Sequence, residues 1–369
     1  MGRAMGRAGA APGLPSVALA GESAAAAGGE VRRRRADLLE LLDTHGGVLV
    51  SSQALRSPAD FELCIKELIQ MSKEYPGGAP RQKVSDGGLF TTTEYQSNLP
   101  IPAHTELSYM PKSKPELIAF CCAAAPPKGG MTPALDMRRV LEELPADLVA
   151  RFAPGVRTSV NLPPAPGVFL DVNRGCFREF TRAWSSYGAD RASAALALQR
   201  ASPEEVAIEW AGSWMQPFVD MPAVETHRGD RVWTGFFPMF HWAGSAVQAV
   251  FDLVLHNRSW RQLRATACIL AATSARLGLD VLGGLPVLRR WLAGCASPGA
   301  LSCRLKSGEP VRFWDVLRIC YVYNSLLLRW QWQPGQFVVL DNRRMGHART
   351  PYDPAERHIF TAFGARRAA

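Results

Sequence analysis

The chain has 369 residues, and its 47% hydrophobic and 20% charged content suits one large globular domain with a substantial core. Its net charge of +9 is mostly terminal: residues 1–36 carry six arginines against Glu22 and Glu30, and Arg366 and Arg367 close the chain. A nucleic-acid binder wears its excess as a patch or stripe on the folded surface, so that class is set aside, and no apolar run is long enough to span a membrane.

Residues 1–31 are rich in Ala and Gly, carry Arg3 and Arg7, and have no acid before Glu22. The segment is expected to be disordered or, in the alternative reading, to target an organelle, with the folded domain running over 32–369. A helix is predicted from Arg34 to His45, ended by Gly46 and Gly47, and "VLVSS" reads as a strand. "SPADFELCIKELIQMSKEY" reads as one amphipathic helix with Ser57 or Asp60 at its start. "PELIAFCCAAAPP" is a β run closed by prolines, and "MRRVLEELPADLVARF" a helix. Short strands are predicted in "GVRTSV" and "GVFLDV", and residues 189–210 have a helical pattern. "DRVWTGFFPMFHW" fits strand or loop. A helical insertion near 245–300 and the helix "RFWDVLRICYVYNSLLLRWQ" precede two last strands, "PGQFVVLDN" and "RHIFTAFGA". Short strands with peripheral helices fit a jelly-roll barrel better than an alternating βαβ sheet. The eight cysteines lack CxxC spacing, and no secretory signal is seen. They read as reduced, buried thiols of an intracellular, cytoplasmic protein.

The chemistry concentrates in "PIPAHTELSYMP". In a strand, alternate side chains share a face, so His104 and Glu106 project together. Such a pair is two-thirds of a metal site, half of an acid–base pair, or a polar rim. His347, just past the strand "QFVVLDN", completes a set of two imidazoles and a carboxylate, the ligand set of non-heme Fe(II) oxygenases with three positions left open. Arg357 stands at the mouth of the last strand, where a buried guanidinium needs a carboxylate partner. Thr132, in "GGMTP", offers a hydroxyl behind two glycines that let the backbone approach an anion. The plainer alternative pairs Arg357 with Glu356 or Asp353 at the surface and makes "GGMTP" a simple turn. His241 lines a pocket or sits satisfied in an aromatic core, and Tyr109 follows the ligand strand closely enough to reach the pocket.

Two blocks carry a resemblance: "AHTELSYMP" with "PELIAFCCAAAPPKGGMTPALDMRRV", and "WQPGQFVVLDNRRMGHARTPYDPAERHIF". They resemble the taurine dioxygenase (TauD/TfdA) family of Fe(II)/2-oxoglutarate oxygenases, and within it the amino-acid-hydroxylase-like branch that carries HxE. The likeness covers residues 35 to 365. It implies a mainly β fold with added helices, a double-stranded β-helix (jelly-roll, cupin-like) barrel. It implies Fe(II) on His104, Glu106 and His347, and 2-oxoglutarate and O2 as cosubstrates. Thr132 and Arg357 would hold the distal carboxylate of 2-oxoglutarate, with Arg349 near the cosubstrate or a substrate carboxylate. The implied reaction is hydroxylation or desaturation of a small polar metabolite, an amino acid or its derivative. Met131 and Gly235 stand where members carry Glu and Asn, and the insertion lengthens the stretch after His241. The rival reading is a non-catalytic cupin-like barrel that acts as a binding or scaffold protein.

Overall fold

The computed structural model describes residues 13–77, 81–92, 97–171, 176–234, 237–241, 243–255, 260–282, 300–352 and 357–368. Gly235, Asp353, Glu356 and the part of the insertion from 283 to 299 lie outside the described residues.

The chain begins with β1 (Ser16–Ala18), α1 (Ala24–Arg33), α2 (Arg35–His45), β2 (Gly47–Ser51), α3 (Pro58–Ile65), β3 (Ile69–Met71), β4 (Phe90–Thr91) and β5 (Ile101–His104). There follow β6 (Leu117–Ala124), β7 (Ala134–Asp136), α4 (Met137–Glu143), α5 (Ala146–Phe152), β8 (Val156–Val160), β9 (Gly167–Asp171) and β10 (Cys176–Phe180). After α6 (Arg191–Ala201) come β11 (Val206–Ala211), β12 (Trp214–Met221), β13 (Val224–His227) and β14 (Asp230–Trp233). The last stretch holds α7 (Phe237–Phe240), α8 (Gly244–Leu255), α9 (Trp260–Leu282), β15 (Leu301–Leu305), α10 (Phe313–Leu326), β16 (Gln336–Asp341), β17 (Met345–Arg349) and β18 (His358–Arg366).

The main sheet runs β1-β2-β16-β6-β18-β3, with β4 also on β18. Its central strands are buried on both faces, which is why they read as continuous apolar runs. On β6, Leu117, Ala119 and Cys121 join Leu38, Leu42, Phe61 and Ile65 of the helices covering the outer face. Ile118, Phe120 and Cys122 point the other way, into a layer with Val338, Leu340, Ile359 and Phe363. That inner layer also takes in Ala134 and Met345 of a three-stranded sheet, β5-β17-β7, and a four-stranded sheet runs β11-β12-β8-β15. The fold is therefore mainly antiparallel sheet with added helices, as expected.

Several boundaries differ from expectation. Residues 13–31, expected to be a disordered or targeting segment, hold regular structure: β1 pairs in parallel with β2, and α1 buries Ala27 and Val31 in the core. Ser23 caps α1 by accepting from the Ala26 amide, and alanines are the best helix formers. The helix after Ser57 stops at Ile65, because Ile69–Met71 pairs with the end of β18. The helix predicted over 189–210 stops at Ala201, before Pro203, and Val206–Ala211 pairs with β12 instead. Pro145 divides "MRRVLEELPADLVARF" into α4 and α5.

Phe337 of β16 is fully buried between α-helical and β side chains. Phe337→Ala should cost about 3–5 kcal/mol of stability through lost transfer energy and a residual cavity. A urea titration would read this as a lower midpoint at unchanged slope, and a midpoint equal to wild type would contradict the packing.

Candidate metal centre

Register brings the two histidines together. β17 is the middle strand of its sheet and pairs His347 directly with His104 of β5. The two imidazole centroids lie 4.5 Å apart, and the Phe120 ring packs 4.8 Å from that of His347. His347 follows β16, as expected, and lies within the next strand, β17.

Glu106 arrives by a different route from the strand alternation expected of it. β5 ends at His104, and the backbone turns through residues 106–109, with Leu107 at a φ of 52°. Asn342, in the β16–β17 connection, fixes that turn. Its Oδ1 accepts from the Glu106 amide at 2.7 Å, and its Nδ2 donates to the Glu106 and Pro115 carbonyls at 3.0 Å each. The carboxylate thereby faces the histidines, with Oε2 3.7 Å from His347 Nε2. Among the described residues, His104, Glu106 and His347 form the one group of three potential ligands, their donor atoms within 4.8 Å of one another.

The protonation states suit a divalent metal. Burial, then the His347 charge, takes His104 down to about 4, so it is neutral at physiological pH. Its Nδ1–H donates to the Pro102 carbonyl at 2.8 Å, which leaves the Nε2 lone pair as the donor. Burial alone would raise Glu106, but Arg81 and the two histidines outweigh it and hold the carboxyl well below its usual range. His347 Nδ1 is buried and has no hydrogen-bond partner. A neutral His104 imidazole, an ionised Glu106 carboxylate and a His347 ring with an unpartnered nitrogen are compatible with a bound Fe(II).

Two residues that the sequence did not reveal hold Glu106 from behind. The Tyr75 hydroxyl donates to Oε1 and Arg81 Nη2 to Oε2, each at 2.8 Å. Arg81 is almost fully buried, with its guanidinium 4.5 Å from the Tyr75 ring centroid.

The ligand set opens onto a cavity of about 490 Å³ whose wall also includes Thr132, Arg349 and Arg357. Arg357 Nε donates to the Gly130 carbonyl at 2.9 Å, and its terminal nitrogens donate to Thr92 Oγ1 at 3.3 Å and Thr132 Oγ1 at 3.4 Å. The "GGMTP" glycines serve this arginine. Gly129 and Gly130 have φ of 70° and 62°, and a Cβ on Gly129 would sit 2.0 Å from the Pro351 carbonyl oxygen. Thr132 Oγ1 also accepts from Trp332 Nε1 at 3.0 Å. With both lone pairs engaged, its own hydrogen is left to donate. Arg349 Nη2 donates to the Leu99 carbonyl at 3.0 Å. Burial, and then the Arg349 charge, bring Arg357 down to about 10, still protonated at neutral pH. Two guanidiniums and a hydroxyl donor on one wall suit an anion.

His241 is not on that wall. It is buried, with Nε2–H donating to the Val311 carbonyl at 3.0 Å and Nδ1 accepting from the Ala243 amide at 3.1 Å. Tyr109 does line the cavity, as expected.

Residues 26–191 and 300–363, well over half of the chain, match the model of the taurine catabolism dioxygenase TauD, TfdA family. The chain belongs to the TauD/TfdA family. Members of this family are 2-oxoglutarate-dependent iron dioxygenases. A curated relative, the dapdiamide synthesis protein DdaC of Enterobacter agglomerans, is 28% identical over 113 residues, 31% of this chain. The match spans about a third of that relative's length, 34%. Among solved structures, a taurine dioxygenase from Burkholderia xenovorans aligns with 91% of this chain and 80% of its own at 13% identity and a TM-score of 0.44. An asparagine oxygenase in complex with Fe(II), a hydroxyasparagine and succinate aligns with 95% and 93% at 14% identity and a TM-score of 0.43. The TauD/TfdA match leaves out residues 192–299, a stretch that contains α8 and α9.

Proposed function

We propose that the protein is an Fe(II)/2-oxoglutarate-dependent dioxygenase that hydroxylates or desaturates a small polar metabolite, an amino acid or its derivative. One observation carries this reading. A His–Glu–His cluster and the Arg357–Thr132 pair face the same cavity. His104, Glu106 and His347 would hold the iron. Arg357 and Thr132 would take the distal carboxylate of 2-oxoglutarate, with Arg349 beside it or against a substrate carboxylate. Iron, 2-oxoglutarate and oxygen together supply the oxidising power for a C–H bond, with succinate and CO2 as co-products. This chain's own work is geometric. Asn342 fixes the Glu106 backbone, Pro102 fixes the His104 tautomer, and Phe120 shields His347 from water.

The facing sheets support a double-stranded β-helix barrel that encloses the site. Six described cysteines are free thiols, which supports a cytoplasmic setting, and no helix among the described residues is long and apolar enough to cross a membrane. No nucleic-acid partner is proposed. The non-catalytic alternative draws on the departure at Gly235 and on the insertion.

Glu106 fills the position that halogenating relatives leave to chloride, so the products should carry no chlorine. Incubation of an amino-acid panel with Fe(II), 2-oxoglutarate, O2 and chloride, followed by mass spectrometry, tests this. The expected product has gained one oxygen or lost two hydrogens, with succinate formed. A chlorinated product would defeat the chemistry, and no succinate above background would favour the non-catalytic barrel.

A further inference from the structure

A glutamate in this ligand set raises a problem that an aspartate poses less sharply. Its extra methylene gives the carboxylate reach and rotational freedom, so both oxygens can swing onto one metal ion. A second oxygen on the metal would take one of the three positions that the oxygenase reading needs open. The structure contains a device against this outcome.

Glu106 is gripped at both ends. Its amide and carbonyl are held by the one Asn342 side chain. At the carboxylate, Oε1 is turned toward the Tyr75 hydroxyl and Oε2 accepts from Arg81 Nη2, each at 2.8 Å. Oε2 lies 3.7 Å from His347 Nε2, on the histidine side. Tyr75 and Arg81 brace each other through the guanidinium–ring contact. Both sit on the connection between β3 and β4, remote in sequence from the ligand strands. For Oε1 to turn toward a metal, the Tyr75 hydrogen bond must break inside a buried site, where an unmade bond is costly.

We propose that Tyr75 and Arg81 are positioning residues that lock Glu106 as a one-oxygen ligand through Oε2. The inference uses the oxygenase reading only for the purpose of the open positions; the lock itself concerns any divalent metal held by His104, Glu106 and His347. Tyr75 sets which oxygen is presented. Arg81 fixes the plane of the carboxylate and balances its charge.

Co(II) is the probe, because its visible absorption changes position and intensity with coordination number. Co(II)-loaded Tyr75→Phe protein should keep wild-type metal affinity or bind more tightly, yet give an altered spectrum. It should also bind 2-oxoglutarate about tenfold more weakly or worse, the lower end of what losing a metal ligand's hydrogen-bond partner costs in affinity or activity. Arg81→Gln should alter the spectrum as well, and Arg81→Lys, which keeps a charged donor, should restore it in part. A role confined to packing would leave the spectrum of folded Tyr75→Phe protein unchanged. Superimposable Co(II) spectra for wild type and Tyr75→Phe, with equal 2-oxoglutarate affinity, overturn the lock. If wild-type protein binds Co(II) but no 2-oxoglutarate, the oxygenase reading fails, and the two Co(II) spectra by themselves still decide the lock.

Discussion

His104→Ala and His347→Ala are each expected to abolish Fe(II) binding, while wild-type protein takes up one ion per chain. The two imidazoles are direct cross-strand partners, so no other described side chain replaces either one at the cluster. Loss of one leaves a two-ligand site, with the Glu106 carboxylate still held by Tyr75 and Arg81. Anaerobic titration with a colorimetric chelator as competitor would measure the affinity. Thermal unfolding with and without metal provides a second reading, because a ligand that binds only the native state raises Tm. Wild type should gain in Tm with Fe(II) or Mn(II), and the alanine variants should fold yet gain nothing. Unchanged metal affinity in either variant would sink the assignment of these ligands.

Much of this cluster was legible in the sequence, but part of it for a reason the fold does not honour. Period-two alternation placed His104 and Glu106 on one face, whereas the strand ends at His104 and a turn pinned by Asn342 delivers the carboxylate. The motif identified the chemistry; the path of the backbone was invisible, because it depends on a side chain 236 positions away. Tyr75 and Arg81 were missed altogether. They sit on an aperiodic connection, and nothing local marks a tyrosine and an arginine six residues apart as partners of a glutamate further on. Other errors had signals in plain view. Pro203 disfavours helix in the residue before it, which argued against a helix across 189–210. Ser23 before an alanine run marked a capped helix where composition alone suggested disorder. The short strand Ile69–Met71 is different in kind: its pattern is ambiguous locally, and pairing with β18 decides it.

The second large effect lies at the Arg357 wall of the same cavity. Arg357→Ala should weaken 2-oxoglutarate binding by at least about a hundredfold, roughly 3 kcal/mol, and leave iron affinity nearly intact. The argument rests on what Arg357 touches. Its Nε–H is already spent on the Gly130 carbonyl, so that nitrogen orients the fork and does not bind ligand. Its terminal nitrogens reach Thr92 and Thr132 through longer contacts of 3.3 and 3.4 Å, which an anion's oxygens can displace or share. Thr132 adds a hydroxyl hydrogen from the same wall. The charge of Arg349 lies close enough to push Arg357 downward, and a dicarboxylate would relieve that repulsion. Arg357→Lys keeps the charge but loses the planar fork, so it should fall between wild type and Arg357→Ala. The charge-transfer band of the anaerobic Fe(II)–2-oxoglutarate protein reports the affinity without any knowledge of the substrate. If Arg357→Ala binds 2-oxoglutarate as wild type does, the cosubstrate's carboxylate is held elsewhere, and Arg349 becomes the residue to replace. If iron affinity collapses along with it, Arg357 supports the fold around the cluster and has no separate role in the cosubstrate site.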